Sequence, residues 1–111
     1  MRHLFGKPPF EEVDAREYNE QFGSKDHILI DVRTPGEFLN GHAPDAINIP
    51  LNELFFRQSE IPTDRPVVFI CATGNRSGNA AMMLKQGGRD DVYNLRGGTM
   101  GWMRSGFPVV R

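Results

Sequence analysis

Residues 67–77 read Val-Val-Phe-Ile-Cys-Ala-Thr-Gly-Asn-Arg-Ser, a short apolar run followed by a polar loop. The first four are β-branched or aromatic and follow a proline, which is typical of a buried strand. Residues 77–86 predict a helix, because their alanine, methionine and leucine side chains can share one face and a Gly-Gly pair follows. Cys71, the only cysteine in the chain, is therefore expected at the tip of a strand, directly before a loop that bends into a helix.

This predicted position favours a reactive thiolate at Cys71. Backbone N–H groups at the start of a helix lack partners within the helix, and the helix dipole adds positive charge there. A loop that curls around the sulfur can aim further amides at it, and Arg76 adds a fixed positive charge nearby. Because the thiolate is the nucleophilic form, Cys71 is a candidate nucleophile. The alternative, a small buried hydrophobic residue, is disfavoured by the polar residues 74–77.

Strands and helices are predicted to alternate along the rest of the chain, and Asp14 has the capping-box spacing to Glu17 at the start of the first helix. This alternation predicts an α/β fold with a central, mostly parallel five-stranded sheet and helices on both faces. The loops after Ile30, Ile70 and Leu95 should meet at the carboxyl ends of the strands, where ligands bind. The predicted strands are 12–13, 28–30, 46–49, 67–70 and 91–95, and the predicted helices are 15–22, a short one after Thr34, 51–58, 77–86 and a last one containing Trp102.

Two charged residues follow the predicted strand 28–30. Neighbouring parallel strands end at the same edge of a sheet, so Asp31 is expected beside the Cys71 loop. Its carboxylate can pair there with Arg76 or Arg33 and brace the loop. The alternative is that Asp31 and Arg33 are ordinary surface charges at a strand end. We predict that both are supporting residues without a role in acid–base chemistry.

The chain resembles a known family, the single-domain rhodanese-like sulfurtransferases. Residues 71–77 are similar to the active loop of that family, and the resemblance covers about residues 10–110. Each matching stretch is weak alone, but their order and spacing together are specific. The other stretches are Asp-Val-Arg (31–33), Glu-Phe (37–38), Gly-His (41–42), Ala-Ile-Asn-Ile-Pro (46–50), Leu-Arg-Gly-Gly (95–98), Trp102 and Gly-Phe-Pro (106–108).

The resemblance implies a rhodanese-like fold and a sulfurtransferase with Cys71 as the catalytic residue. Cys71 would take the outer sulfur of thiosulfate, or of a protein or small-molecule persulfide, and pass it to a thiol or protein acceptor, or to cyanide. Ala72 and Thr73 are uncharged where some thiosulfate-specialised relatives carry basic residues, so weak thiosulfate affinity is expected. The residues predicted to bind the substrate, through loop amides and the hydroxyls of the threonine and the serine, are Ala72, Thr73, Gly74, Asn75, Arg76 and Ser77.

Two other classes of function use similar loops. Phosphatases and arsenate reductases related to rhodaneses carry one residue more between the cysteine and the arginine than the four residues between Cys71 and Arg76. The loop here therefore resembles the version that fits a single sulfur. A non-catalytic interaction module, or a persulfide relay to a partner protein, is the third class. The presence of Cys71 argues against an inert module but is compatible with a relay.

Length and composition limit the number of domains, the kinds of partner and the cellular compartment. The chain has 111 residues, and we predict a lead-in over residues 1–9 and a single rhodanese-like domain over 10–111. The formal net charge of −1 gives no electrostatic reason for a nucleic-acid or anionic membrane partner. One cysteine cannot form an intramolecular disulfide and suits a reducing cytoplasm. No apolar run approaches a transmembrane helix, and the amino terminus does not resemble a secretory signal.

The three histidines are not expected to take part in the chemistry. His42 is predicted to be structural and bonded to the backbone, because imidazole readily satisfies such contacts. His3 and His27 are expected at the surface. No two histidines have ligand-like spacing with Cys71, so we expect neither a metal nor another cofactor.

Overall fold

The computed structural model describes residues 8–111, so most of the predicted lead-in, with His3, lies outside the described residues. The strands are β1 (Glu11–Val13), β2 (Ile28–Asp31), β3 (Ile47–Asn48), β4 (Val67–Ile70) and β5 (Val92–Leu95). The helices are α1 (Ala15–Phe22), α2 (Pro35–Leu39), α3 (Leu51–Leu54), α4 (Asn75–Gln86) and α5 (Gly98–Arg104), with a 3-10 helix at Phe55–Glu60. Within the described range the five strands pair in parallel, in the order β1-β5-β4-β2-β3. The predicted α/β fold with its parallel sheet is confirmed.

Strand β4 lies at the centre of the sheet and is buried on both faces. All four of its residues are fully buried, which explains why the strand is a continuous apolar run without polar alternation. Phe69 packs with side chains of α3 and α4, whereas Val68 and Ile70 pack with side chains of α1 and α5 on the other face. β4 pairs with β2 on one side and β5 on the other. The loops that follow these three strands therefore begin at one edge of the sheet.

Capping boxes start α1 and α2. The Glu17 amide donates to Asp14 Oδ1 at 2.8 Å, and the Asp14 amide donates to Glu17 Oε1 at 2.9 Å. Thr34 and Glu37 make the same reciprocal pair at 3.3 and 3.1 Å. Each pair satisfies two amides that would otherwise lack partners at the helix start. The capping box predicted for α1 is confirmed, and Thr34 is the N-cap of α2 as its position predicts.

The helix predicted over residues 51–58 is shorter than expected. Its first turn is α-helical, but the chain continues as a 3-10 helix in which Arg57 leaves helical geometry (φ −111°, ψ 15°). Helical spacing predicts Leu51, Leu54 and Phe55 on one face, and for Phe55 this is wrong, because Leu54 is fully buried whereas Phe55 is 64% exposed. Phe55 keeps α-helical dihedrals (φ −57°, ψ −43°), so its side chain lies about 100° around the helix axis from that of Leu54.

Trp102, His42 and His27 make structural contacts outside the Cys71 loop. Trp102 is buried and donates its indole N–H to the Pro108 carbonyl at 2.7 Å. His42 is confirmed as a structural histidine, since its Nδ1 bonds the Phe38 carbonyl at 2.8 Å and its ring stacks on the Phe38 ring. His27 was expected at the surface, but it is half-buried and bonded to the Tyr18 hydroxyl at 2.6 Å.

Candidate active site

Cys71 lies directly after β4, where the chain turns into α4. The turn passes through Gly74, whose φ of 108° is a left-handed conformation that favours glycine. α4 begins at Asn75, two residues earlier than predicted, and has no side-chain cap. The amides of its first turn are therefore free to face an anion. The Gly74 amide donates to Cys71 Sγ at 3.1 Å, and the Ser77 hydroxyl lies 3.3 Å from the same sulfur.

The ionisation of Cys71 reflects two opposing effects. Burial of the thiol, which is 1% exposed, raises its pKa because it disfavours the charged form. Hydrogen bonds from the Ser77 hydroxyl and from the backbone at Ser77, Gly74 and Thr73 lower the pKa. Together these donors outweigh burial, and the pKa of Cys71 lies below its ordinary value. The loop thus favours the thiolate, the nucleophilic form of cysteine.

The turn between β5 and α5 supports the Cys71 loop from behind. Thr99 donates both its amide, at 2.8 Å, and its hydroxyl, at 3.0 Å, to the Cys71 carbonyl. The Met100 amide donates to the Ala72 carbonyl at 3.0 Å. Gly98 lies so close that a Cβ there would be 2.5 Å from the Ala72 carbonyl oxygen. These contacts hold the two carbonyls on the side of the loop where α5 begins.

Asp31 and Arg33 form a buried ion pair, so the alternative of ordinary surface charges is wrong. Asp31 is fully buried and Arg33 is 7% exposed. The Arg33 guanidinium donates to Asp31 through Nε at 3.0 and 3.1 Å and through Nη2 at 2.8 Å. Arg33 Nη2 also donates to the Gly41 carbonyl at 2.7 Å. Of the two partners considered for Asp31, the structure selects Arg33.

Arg76 instead pairs with Glu37, a residue that the sequence did not identify as part of the site. Its Nη1 and Nη2 donate to the two carboxylate oxygens at 2.8 and 2.9 Å, a bidentate geometry. Hydrogen bonds from Arg76 lower the pKa of Glu37 to about 2, with burial opposing and Thr34 assisting. The pair joins the first turn of α4 to the first turn of α2. In the sequence, Glu37 belongs only to a stretch that resembles the family, and no local signal points to Arg76.

Asn94 was also missed, although it is buried next to the loop. The Ser77 hydroxyl lies 2.6 Å from Asn94 Oδ1. Asn94 Nδ2 donates to the Gly74 carbonyl and to Glu12 Oε2, each at 3.1 Å. A polar residue inside the otherwise apolar strand β5 was the signal available in the sequence.

The other loop residues predicted to bind the substrate differ in burial and in their contacts with the sulfur. Ser77 is fully buried and bonded to Cys71 Sγ as expected. Thr73 is exposed, and it lowers the Cys71 pKa through its backbone and not through the predicted hydroxyl. Asn75 is exposed, and Ala72 is half-buried.

The described residues show neither a grouped set of metal ligands nor a membrane-spanning helix. Among residues 8–111, no three His, Cys, Asp or Glu side chains are grouped as a metal ion would require. Within the same range, no helix has both the length and the apolar surface needed to span a bilayer.

Comparison with known proteins identifies the family. Residues 14–105 match the family model of the rhodanese-like domain. A sulfurtransferase of Allochromatium vinosum is 42% identical over 100 residues, which are 89% of this chain and 94% of that protein. The solved structure of a rhodanese-related protein from Thermoplasma volcanium matches with a TM-score of 0.83 and 33% identity, over 91% of this chain and 98% of that one. A thiosulfate sulfurtransferase from Pseudomonas aeruginosa matches with a TM-score of 0.79 and 26% identity, over 92% of this chain and 20% of that one. The family predicted from the order and spacing of the matching stretches is thereby confirmed, and the chain belongs to the rhodanese-like domain family.

Proposed function

We propose that the protein is a sulfurtransferase that carries a sulfane sulfur on Cys71, from thiosulfate or a persulfide donor to a thiol or cyanide acceptor. The observation that carries this proposal is the environment of the sulfur, which faces the Gly74 amide and the Ser77 hydroxyl at the start of a helix. Such donors stabilise negative charge on sulfur as an oxyanion hole stabilises an oxyanion. Similarity to the Allochromatium vinosum sulfurtransferase supports the reaction class.

In the first step, the Cys71 thiolate attacks the outer sulfur of the donor. With thiosulfate, a bond forms between the two sulfurs while the bond from the outer sulfur to the sulfonate sulfur breaks, and sulfite leaves with the electron pair. Cys71 is left as a persulfide whose outer sulfur bears one negative charge. We assign the amides of residues 72–76 to bind this charge.

In the second step, an acceptor thiolate or cyanide attacks the outer sulfur of the persulfide. The acceptor gains that sulfur as a persulfide or as thiocyanate, and the Cys71 thiolate leaves with the electrons of the broken bond. A thiol whose pKa is lowered is the better leaving group. The hydrogen bonds that lower the pKa of Cys71 therefore assist the release of sulfur as well as its capture.

Asp31 and Arg33 support the site at a distance from the sulfur. Their ion pair fixes the end of β2 and, through the Gly41 carbonyl, the segment after α2. α2 in turn presents Glu37 to Arg76. We propose that this series of contacts keeps the Cys71 loop in its compact shape.

Arg76 supplies the observation that favours sulfur transfer over phosphoryl chemistry. A phosphatase loop needs an arginine whose N–H groups bind phosphate oxygens. Here Nη1 and Nη2 of Arg76 both donate to Glu37, and only four residues separate Arg76 from Cys71. The arrangement fits one sulfur atom better than a tetrahedral oxyanion.

Mass spectrometry of the intact protein tests the proposal. After treatment with thiosulfate, and separately with glutathione persulfide, the native protein should gain the mass of one sulfur, which cyanide then removes as thiocyanate. The Cys71→Ser variant is the matched control, because its hydroxyl is similar in size but cannot form a persulfide. Equal gain on both proteins, or no gain from either donor, would refute the proposal. Given the uncharged Ala72 and Thr73, we expect the persulfide donor to react faster than thiosulfate.

A further inference from the structure

A chain of hydrogen bonds leads from the Cys71 sulfur to the first strand of the sheet. Cys71 Sγ lies 3.3 Å from Ser77 Oγ, which lies 2.6 Å from Asn94 Oδ1, and Asn94 Nδ2 lies 3.1 Å from Glu12 Oε2. Asn94 is 3% exposed and is opposite Phe69 of β4 in the sheet. The proposed chemistry uses Ser77 but gives no task to Asn94.

The orientation of the Asn94 amide follows from its neighbours. One end of the amide contacts the Gly74 carbonyl and the Glu12 carboxylate, which are both acceptors, so the NH2 group must lie there. The oxygen then faces Ser77, and an amide oxygen can only accept. The Ser77 hydroxyl therefore donates its proton to Asn94 across the short 2.6 Å contact.

A hydroxyl has one proton, and two atoms require it. While Ser77 donates to Asn94, its oxygen can only accept from the thiol S–H of Cys71. The thiolate of Cys71 has no proton to give, so Ser77 can bond it only as a donor, with its proton turned from Asn94 to the sulfur. The thiol and the thiolate thus require opposite orientations of the same hydroxyl.

We propose that Asn94 is a positioning residue for Cys71, which competes with the sulfur for the single hydroxyl proton of Ser77 and thereby sets the reactivity of the thiolate. When the thiolate forms a persulfide, the negative charge moves from Sγ to the outer sulfur. The Ser77 proton then returns to Asn94, so the hydrogen bond lost at the sulfur is replaced. The consequence for turnover rests on the proposed persulfide chemistry, whereas the competition is a property of the free protein.

The other charged groups around the loop also make hydrogen bonds or ion pairs. On the side of β2 and α2, Asp31 is paired with Arg33 and Glu37 with Arg76. On the side of β1, Glu12 accepts from the Asn94 amide. Substitution of Asn94 leaves the first two pairs in place, so a change in Cys71 ionisation would report on Ser77 and its immediate partners.

Two substitutions of Asn94 should change the ionisation of Cys71 in opposite directions. Asn94→Leu removes the competing acceptor, so the thiolate-to-thiol ratio at fixed pH should rise about threefold to tenfold. Asn94→Asp keeps an acceptor and strengthens it, so the ratio should fall. Ultraviolet absorbance of the thiolate against pH measures the ratio without any sulfur transfer. Persulfide formation per thiolate should fall severalfold in Asn94→Leu, because the proton of Ser77 stays on the sulfur.

Two controls separate this role from general loss of structure. In a Ser77→Ala background, Asn94→Leu should no longer change the ratio, because the proton for which Asn94 competes is gone. Asn48 is the matched asparagine, since its Nδ2 also donates two hydrogen bonds, to the carbonyls of Asp31 and Arg33. Asn48→Leu should leave the ratio unchanged even if it lowers stability.

A measurement on the native protein covers the case in which the leucine variant does not fold. The side-chain amide resonances of Asn94 in NMR spectra should shift with pH in step with Cys71 ionisation, and those of Asn48 should not. The proposal would be overturned if the thiolate-to-thiol ratio of Cys71 stayed unchanged in the two Asn94 variants or changed in the same direction in both. It would also be overturned if the Asn94 amide resonances did not respond to ionisation of Cys71. If the ratios shift as expected but Cys71 gains no sulfur, the sulfurtransferase proposal fails and the competition stands.

Discussion

The turns after β4 and β5 use the same backbone geometry for different tasks. Each passes from strand to helix through a left-handed glycine, Gly74 with φ 108° and Gly97 with φ 87°, and neither helix has a side-chain cap. After β4, the Gly74 amide donates to the Cys71 sulfur. After β5, the amides of the first helical turn donate to the carbonyls of the other turn, as Thr99 does to Cys71. One turn surrounds the reacting atom, and the second holds the first in shape.

An arginine in each turn reaches the glutamate of a capping box. Arg76 meets Glu37 in a bidentate pair at 2.8 and 2.9 Å. Arg96 donates to Glu17 through one nitrogen at 3.2 Å. The geometry makes the first pair a brace between two helix starts and the second a looser contact at the surface. Substitutions in the two turns should therefore differ in their effects on stability and on sulfur transfer.

The largest effect should come from Gly98→Ala, which breaks the contact between the two turns. The new Cβ would lie 2.5 Å from the Ala72 carbonyl carbon and 2.6 Å from the Cys71 carbonyl oxygen, at a residue whose φ is 60°. Strain and steric overlap should together lower the free energy of unfolding by about 2–4 kcal/mol. Displacement of the Cys71 loop should slow persulfide formation on the order of a hundredfold. Chemical denaturation and single-turnover kinetics measure the two effects.

Gly106→Ala is the matched control for the Gly98 prediction. Gly106 also has a positive φ, 87°, but a Cβ there meets nothing within 4 Å. The substitution should cost about 1 kcal/mol of stability from backbone strain alone and leave persulfide formation unchanged. Equal losses in both variants would mean that contact between the turns is unimportant.

Loss of Arg76 should slow sulfur transfer more than loss of Arg96. Arg76→Ala should slow sulfur transfer roughly threefold to tenfold, about 1 kcal/mol of activation free energy, because the first turn of α4 loses its tie to α2. Arg96→Ala should leave the rate nearly unchanged. Both pairs are partly exposed, so neither change should alter stability by more than about 1 kcal/mol. Steady-state rates for both variants, and for the Arg76→Ala and Glu37→Gln double variant, provide the measurement.

The double variant tests whether Arg76 acts through Glu37. If it does, Glu37→Gln should add little to the loss already caused by Arg76→Ala. Additive losses would show that Arg76 contributes in another way, such as by attracting an anionic donor.

Much of the fold and the centre of the site could be predicted because their signals are local. The apolar run before Cys71 and the turn residues after it lie within one short stretch. Asp31 and Arg33 are two residues apart, so their pairing was among the alternatives considered. The capping box of α1 also depends on residues three apart. In each case the chain's own geometry brings the partners together.

Contacts that depend on strand order could not be predicted in the same way. Arg76 and Glu37 are 39 residues apart, and Asn94 and Glu12 are 82 apart. Glu12 meets Asn94 only because β1 pairs with β5 at the edge of the sheet. A composition or spacing pattern carries no information on such neighbours. The residues around Cys71 were therefore recognised, while the partners that hold them were not.

A third, smaller effect is expected from Thr99→Val, which removes one of the two hydrogen bonds that the Cys71 carbonyl accepts from the other turn. The Thr99 hydroxyl donates to the Cys71 carbonyl at 3.0 Å, but the Thr99 amide donates to the same oxygen at 2.8 Å. Since the carbonyl keeps one donor, stability should fall by only about 0.5–1.5 kcal/mol, measured by chemical denaturation. Thr99→Ser should retain the hydrogen bond and most of the stability. A loss as large as that of Gly98→Ala would show that the hydroxyl, and not close backbone contact, joins the turns.

The smallest effect concerns the acid stability of the brace between Arg76 and Glu37. Hydrogen bonds from Arg76 lower the pKa of Glu37 from 4.5 to about 2. A carboxyl group whose pKa is lowered by folding adds stability above its unfolded value, and this stability is lost as pH falls through the folded value. The stability of the native protein should therefore decline more steeply between pH 4.5 and 2 than that of Glu37→Gln. Because the Glu37 side chain is 38% exposed, solvent screening should keep the difference below about 1 kcal/mol.

Arg76→Ala should behave like Glu37→Gln in thermal unfolding followed against pH, since Arg76 is the main cause of the lowered pKa of Glu37. Parallel curves for the native protein and both variants would show that the two helix starts are held together by other contacts.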